Sequence, residues 1–335
     1  MAQPEPTVLV TGSSGHLGAA LMLSLPSYGL HPFGIDILPS STTNAIVDIT
    51  SAPALTTLFE SHPTLTHIIH TATLHKPHIS SHPKSAFLTT NLTGTLNLLS
   101  LCTTHPLTTF TFLSTTSAFG SALSPRRGTP SIWIDESVVP IPKNIYGATK
   151  TAAEDLCQLF HKEHNLPVII LRTSRFFPEG DDDEERRGLM GDANLKVCEL
   201  AYRRVDIADV VSACVCALRR AKDVRFGKYV ISAPPPVRRR EEVLRGLDAD
   251  AGAVIRGAVP GAEEVFRERG WRFLERIDRV YDSGKAVREL GWEPEFTFEN
   301  VMKRLAEGRD WRSELTLRVG KRGYHAVSTG VYTVR

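Results

Sequence analysis

The sequence predicts an α/β fold: a doubly wound parallel sheet joined to a smaller, mostly helical C-terminal region. Three observations carry this. Short β-branched and aliphatic runs alternate with helix-compatible stretches as far as residue 232, the pattern of strands and crossover helices in a parallel sheet. The first run stops at a glycine-rich turn and helical sequence follows at once. After three prolines at 234–236 the texture changes to amphipathic helix.

Residues 8–10 are Val-Leu-Val, with no polar alternation. A strand buried on both faces reads this way. A helix is expected over 15–25, then strands over 32–37, 45–47 and 66–70. Apolar spacing suits a helix over 91–102. A strand over 110–114, a long helix over 144–164 and a strand over 167–171 continue the alternation. Residues 205–219 return as a helix and 228–232 as a strand. On this reading residues 1–174, rejoined by 205–232, make one domain. Residues 175–204 and 233–310 make a second unit, and 311–335 a tail without a clear period. Asp181, Asp182, Asp183, Glu184 and Glu185 read as a solvated acidic loop.

Lys and Arg number 39 against 37 Asp and Glu, a net charge of +2. That balance offers no basic excess for nucleic acid or an anionic membrane. No apolar run approaches the roughly 18 residues of a spanning helix. The N-terminus has no basic segment followed by an apolar one, so no removed leader is expected. The five cysteines are odd in number and scattered, which points to reduced thiols and a cytoplasmic location. Residues 1–124 carry only Glu5, Asp36, Asp48, Glu60, Lys76 and Lys84 as charges. An acid in this stretch therefore stands out.

The first strand enters Thr11-Gly12-Ser13-Ser14-Gly15-His16-Leu17-Gly18. Three glycines at spacing three suit a backbone that must approach a pyrophosphate closely. The helix N-terminus behind them offers N–H groups and a positive dipole end. Gly12, Ser14, Gly15, His16, Leu17 and Gly18 are the candidate contacts. Asp36 ends the second strand 18 residues past Gly18, close to the ~20-residue spacing of a carboxylate on the adenosine ribose diol. Ile37, Leu38 and Pro39 follow it, with no Arg or Lys to receive a 2′-phosphate. NAD is expected rather than NADP.

Tyr146 and Lys150 are four apart and share one helix face. An ammonium beside a phenol favours phenolate and lowers its pKa toward the range of a general base. The glycine turn together with Tyr146-Gly147-Ala148-Thr149-Lys150 resembles the extended short-chain dehydrogenase/reductase family, in its NAD-dependent epimerase/dehydratase branch. Val47-Asp48-Ile49, His70-Thr71-Ala72 and Asn91-Leu92-Thr93-Gly94-Thr95 resemble further family motifs in the same order. So do Tyr281-Asp282-Ser283-x-Lys285-Ala286 and Leu290-Gly291-Trp292-x-Pro294.

The resemblance implies a Rossmann-type domain and a C-terminal substrate-binding cap. It implies cofactor contacts at Asp48, Ile49, Thr71, Ala72, Thr73, Asn91, Ser114, Thr173 and Ser174, with Lys150 donating to the nicotinamide ribose. Thr115, five before Gly120, takes the place of the family's catalytic hydroxyl, with Ser114 as alternate. Tyr146 is the implied base. Family members often dimerise, so a homodimer is a further expectation. Thr116, Phe119, Arg175 and Phe177 join Thr115 and Tyr146 as substrate contacts by position.

Several positions depart from the family pattern. Thr116 and Ser117 stand where dehydratases carry Asp-Glu, which argues against water elimination. Phe119 replaces a Tyr, and Arg175 an Asn that contacts a nucleotide diphosphate. Tyr202 stands where an Arg is common, with Arg203 and Arg204 adjacent, and Arg272 matches a later Arg only loosely. The nucleotide-sugar clamp therefore reads as incomplete. The expected activity is transient oxidation of a secondary hydroxyl on a sugar, nucleotide sugar or other small molecule, followed by re-reduction. A dehydrogenase with net NADH formation and a non-catalytic NAD sensor are the alternatives. His75, His78 and His82 have ligand-like spacing but lie where the family has a cofactor loop, so no metal is expected. Cys214 and Cys216 read as buried helix thiols.

Overall fold

Seven strands form one parallel sheet in the computed structural model, which describes residues 5, 7–105, 107–123, 125–176 and 188–320. The chain runs β1 (Val8–Thr11), α1 (His16–Ser24), β2 (Pro32–Asp36), β3 (Ala45–Ile46), α2 (Ala52–Ser61) and β4 (His67–His70). It continues through α3 (Lys84–Phe87), α4 (Gly94–Thr104), β5 (Thr109–Thr115), β6 (Ile132–Ile134), α5 (Ile145–His164), β7 (Val168–Thr173) and β8 (Arg175–Phe176). Then follow α6 (Asp192–Leu200), β9 (Arg204–Val205), α7 (Ile207–Val224), β10 (Phe226–Ile231), α8 (Glu241–Ala249), α9 (Ala251–Ala258) and α10 (Ala262–Glu268). The last elements are β11 (Arg279–Tyr281), α11 (Gly284–Leu290), α12 (Phe298–Ala306) and α13 (Glu314–Val319).

The sheet order is β10-β7-β5-β4-β1-β2-β3. Its direction of growth reverses between β1 and β4, so a crevice opens beyond the carboxyl ends of those strands. Side chains alternate across a strand, and the alternation feeds two separate cores. Val8, Val10, Ile69, Leu113, Ile169 and Leu171 face α1, α7 and α11. Leu9, Ile68, Phe110, Phe112, Val168 and Ile170 face α2, α4 and α5. A third core, between α6, α8, α9, α10 and α12, holds Leu195, Leu247, Ile255, Phe266 and Val301.

The structure departs from the sequence reading in six places. The helix expected over 91–102 begins at Lys84 and passes through a π-helical turn, Leu88–Thr93, before α4. Val205, expected in a helix, sits in β9, and Asp206 caps α7 by accepting from Ala208 N at 2.8 Å. Helix α2 was not anticipated, nor was the parallel pairing of β6 with β11. Within the stretch expected as cap, Ala286, Leu290 and Trp292 pack against the sheet instead. The aperiodic tail contains α13, held because Ser313 N and Oγ and Thr316 Oγ1 all donate to the buried Asp206 carboxylate, at 3.0, 2.6 and 3.0 Å. The acidic run 181–185 and residues 321–335 lie outside the described residues. Among the described residues no helix is long and apolar enough to cross a membrane.

Candidate active site

A cleft of about 1060 Å³ follows the carboxyl ends of β1, β2, β4, β5 and β7. It begins at the glycine turn. Gly12 has φ +72°, and a Cβ there would lie 2.8 Å from Ala72 N. A Cβ on Gly18 would lie 1.9 Å from Gly12 O. No side chain caps α1 and no acid occupies its first turn, so its positive end faces the cleft through Gly15, His16 and Leu17. A dinucleotide pyrophosphate fits this cradle. Asp36 is fixed at the rim, accepting from Ser14 N and Leu38 N, both at 3.0 Å. Asp48 and Ile49 line the same end.

The loop after β4 is anchored from below. His70 is fully buried between Thr11 Oγ1 at 2.7 Å and Thr95 Oγ1 at 3.0 Å. Burial, aided by nearby Lys150, holds its imidazole well below the usual range, so it stays neutral. Thr71, Ala72 and Thr73 are thereby set along the cleft wall. Asn91 does not reach the cleft. Its Oδ1 accepts from Leu74 N at 2.8 Å and Thr73 Oγ1 at 2.9 Å, and its Nδ2 donates to Thr149 Oγ1 at 3.0 Å. The Asn expected as a cofactor contact instead ties the loop to α5.

At the other end, Asn144 caps α5 by accepting from Gly147 N at 2.9 Å, and the first turn presents Tyr146 to the cleft. Thr115 ends β5 and lines the cleft, with its Oγ1 accepting from Ser117 N at 3.1 Å. Ser114 also lines the cleft, with its hydroxyl donating to Glu154 at 2.6 Å. Lys150 is 2% exposed and lies behind the wall, with Nζ 3.9 Å from the centre of the Phe112 ring. Burial pushes its ammonium down to about 7, against the influence of Cys157 and Glu154.

Thr116, Thr173, Ser174 and Arg175 all line the cleft. Phe119 does not. The turn after β5 sends its ring into a fully buried cluster, stacked on Tyr281 with centroids 6.5 Å apart and lying under Arg172 at 5.0 Å. Phe177 lies outside the described residues. The sequence reading gave no role to Arg279 and mentioned Arg203 only as a neighbour, yet both line the cleft at its Tyr146 end, with Lys76 and Lys143. Arg203 Nε donates to Glu199 at 2.7 Å, and Arg279 Nη2 to Asp278 at 2.6 Å. Among the described lining residues the carboxylates are Asp36 and Asp48, both at the opposite end.

Residues 8–232 match the model of the NAD dependent epimerase/dehydratase family. The UDP-glucose 4-epimerase of Rhizobium leguminosarum bv. trifolii is 25% identical over 92% of this chain and 98% of its own length. The UDP-glucuronate 4-epimerase of Thermodesulfobacterium geofontis is 26% identical over 91% of this chain and 96% of its own. The crystal structure of UDP-glucuronic acid 4-epimerase from Bacillus cereus with NAD superposes with a TM-score of 0.58 at 18% identity, covering 92% and 100% of the two chains. The chain belongs to the NAD dependent epimerase/dehydratase family and is an NAD-dependent oxidoreductase of the epimerase type.

Proposed function

We propose that the enzyme inverts a secondary hydroxyl on a nucleotide-linked sugar. The observation that carries the substrate class is the charge of the cleft. Its catalytic end gathers Lys76, Lys143, Arg175, Arg203 and Arg279. Guanidinium groups match phosphate and carboxylate geometry, so these residues fit a diphosphate even though the positions differ from the family's usual register. The named activities of the relatives, epimerisation of UDP-glucose and UDP-glucuronate, point to the same class. In this reading residues 1–174 with 205–232 hold the cofactor, and 175–204 with parts of 233–310 hold the sugar nucleotide.

The glycine turn and the start of α1 hold the cofactor diphosphate, and Asp36 receives the adenosine ribose hydroxyls. NAD, when bound, supplies the acceptor and donor of hydride. Thr115 holds the reacting oxygen by hydrogen bond. Tyr146 removes its proton and later returns it. Lys150, in its protonated form, places a positive charge behind the phenol. It lies beneath the wall rather than in the cleft, so the contact to the nicotinamide ribose expected from the sequence is not made from this position. The described cysteines are all free and four of the five are buried, in keeping with a reducing cytoplasm.

The test incubates the enzyme and NAD with UDP-glucose and, separately, UDP-glucuronate, then separates the sugar nucleotides and follows NADH absorbance. The expected result is conversion to the 4-epimer without net NADH. Net NADH formation with no epimer would replace the epimerase by a simple dehydrogenase. Asp36→Ala gives a second check. A hydrogen bond to a charged group contributes about 1.5–3 kcal/mol, so NAD affinity should fall roughly 10- to 100-fold. NADP, which the carboxylate repels, should bind no worse than to wild type. Unchanged NAD affinity in a titration would remove Asp36 from the ribose site.

A further inference from the structure

Behind Lys150 lies a buried charge network that the steps above do not use. Glu154 stands one helical turn beyond Lys150 on α5 and is fully buried. Ser114 and Arg172 are partners in the β5–β7 register, and strand alternation turns both toward α5. Arg172 donates to the Glu154 carboxylate from Nη2 at 2.7 Å and Nε at 3.0 Å. Ser114 Oγ donates at 2.6 Å, and Lys228 Nζ approaches from β10 at 3.3 Å. Thr115 and Thr173 are the next residues on the two strands, and Thr173 Oγ1 donates to Ser114 O at 3.1 Å. Four elements therefore meet at one carboxylate directly beneath the catalytic end.

We propose that Glu154 is a positioning residue for the reaction: it fixes α5, and with it Tyr146 and Lys150, against the ends of β5 and β7, and its charge offsets the Arg172 guanidinium behind Lys150. The inference rests on the reading of Tyr146 as the base.

The groups around Lys150 make that charge count. Glu154 and Cys157 act on it from its own helix and His70 from β4, while Arg172 from β7 and Lys228 from β10 meet Glu154, and Cys102 from α4 lies by Cys157. Burial holds His70 neutral and pushes both thiols up, so they are neutral as well. Burial also works to raise Glu154, but the Arg172 hydrogen bonds and charge, with Ser114 and Lys228, outweigh it and hold the carboxylate below the usual range. Glu154 is thus the one anion of this group facing three cations. Without its charge, Lys150 gives up its proton at a lower pH. A neutral Lys150 no longer favours the phenolate, so Tyr146 ionises at a higher pH.

The readout is an NMR pH titration of ring-labelled tyrosine in the NAD-loaded enzyme, with the Tyr146 resonance assigned by its loss in Tyr146→Phe. In wild type Tyr146 should titrate below the ordinary value of about 10. Glu154→Gln should raise that midpoint by about one pH unit or more. Glu154→Asp, which keeps the charge, should leave it near wild type. Arg172→Met removes the partner that keeps the buried Glu154 ionised, so it should raise the midpoint in the same sense as Glu154→Gln, and this variant decides the matter if the Gln variant does not fold. An ordinary midpoint in wild type would sink the reading of Tyr146 and this inference with it. A lowered wild-type midpoint that neither Glu154→Gln nor Arg172→Met moves would leave Tyr146 in place and overturn the role of Glu154.

Discussion

Tyr146→Phe should lower turnover by about 100- to 10,000-fold, the range that a positioned general acid–base contributes. The ring loses only its hydroxyl, so the wall of the cleft keeps its shape. Thr115 still meets the reacting oxygen, but no group of suitable proton affinity remains beside it. Lys150 lies behind the wall with its ammonium against the Phe112 ring, too deep to replace the phenol. NAD binding should be spared, because the glycine turn and Asp36 lie at the other end of the cleft. Turnover measured at saturating sugar nucleotide, with a parallel NAD titration, separates the two effects. Turnover within a few-fold of wild type would remove Tyr146 from the chemistry.

Gly18→Ala should have the largest effect on the cofactor half. The three atoms nearest an added methyl are Gly12 O, Gly12 C and Ser13 Cα, at 1.9, 2.6 and 2.8 Å. All three are backbone, so no side chain can swing aside. An extra methyl in a packed site costs about 1–3 kcal/mol, and this one sits where only α1 or the turn can move. Either movement carries the start of α1 away from the pyrophosphate. NAD affinity should fall about 10- to 100-fold, with a lower melting temperature for the enzyme without added NAD. Wild-type affinity in this variant would mean that the turn and α1 do not form the cradle.

Much of this was legible in the sequence because it is local. A parallel strand buried on both faces favours an apolar run, so β1 and β7 were readable, and β4 and β5 were readable from β-branched and aromatic residues interspersed with His and Thr. Gly12, Gly15 and Gly18, and Tyr146 with Lys150, are motifs within single turns. Pairings between distant three-residue strands left no such signal. Ile132–Ile134 meets Arg279–Tyr281, and neither segment announces a partner. Phe119 was misplaced because position in a turn does not fix which way a ring faces. Arg279 reaches the cleft only through that distant pairing. Glu154 and Arg172 had a trace, a charge on the buried face of a helix and another ending an apolar strand, but the trace does not name the partner.

The two faces of the sheet are closed by different stretches of chain. One is covered entirely by α2, α4 and α5, within residues 52–164. The other is shared by α1, α7, α11 and α13, so residue 17 shares a core with residue 319. Loop-closure entropy grows only logarithmically. Joining ends about 300 residues apart rather than about 50 costs roughly 1.5 kcal/mol more. At equilibrium the long reach is therefore a small handicap. Its larger consequence is temporal. At about 5–20 residues per second of synthesis, the helix that begins the nucleotide cradle leaves the ribosome roughly 15–60 s before its last neighbour exists. The cofactor half is begun first and finished last.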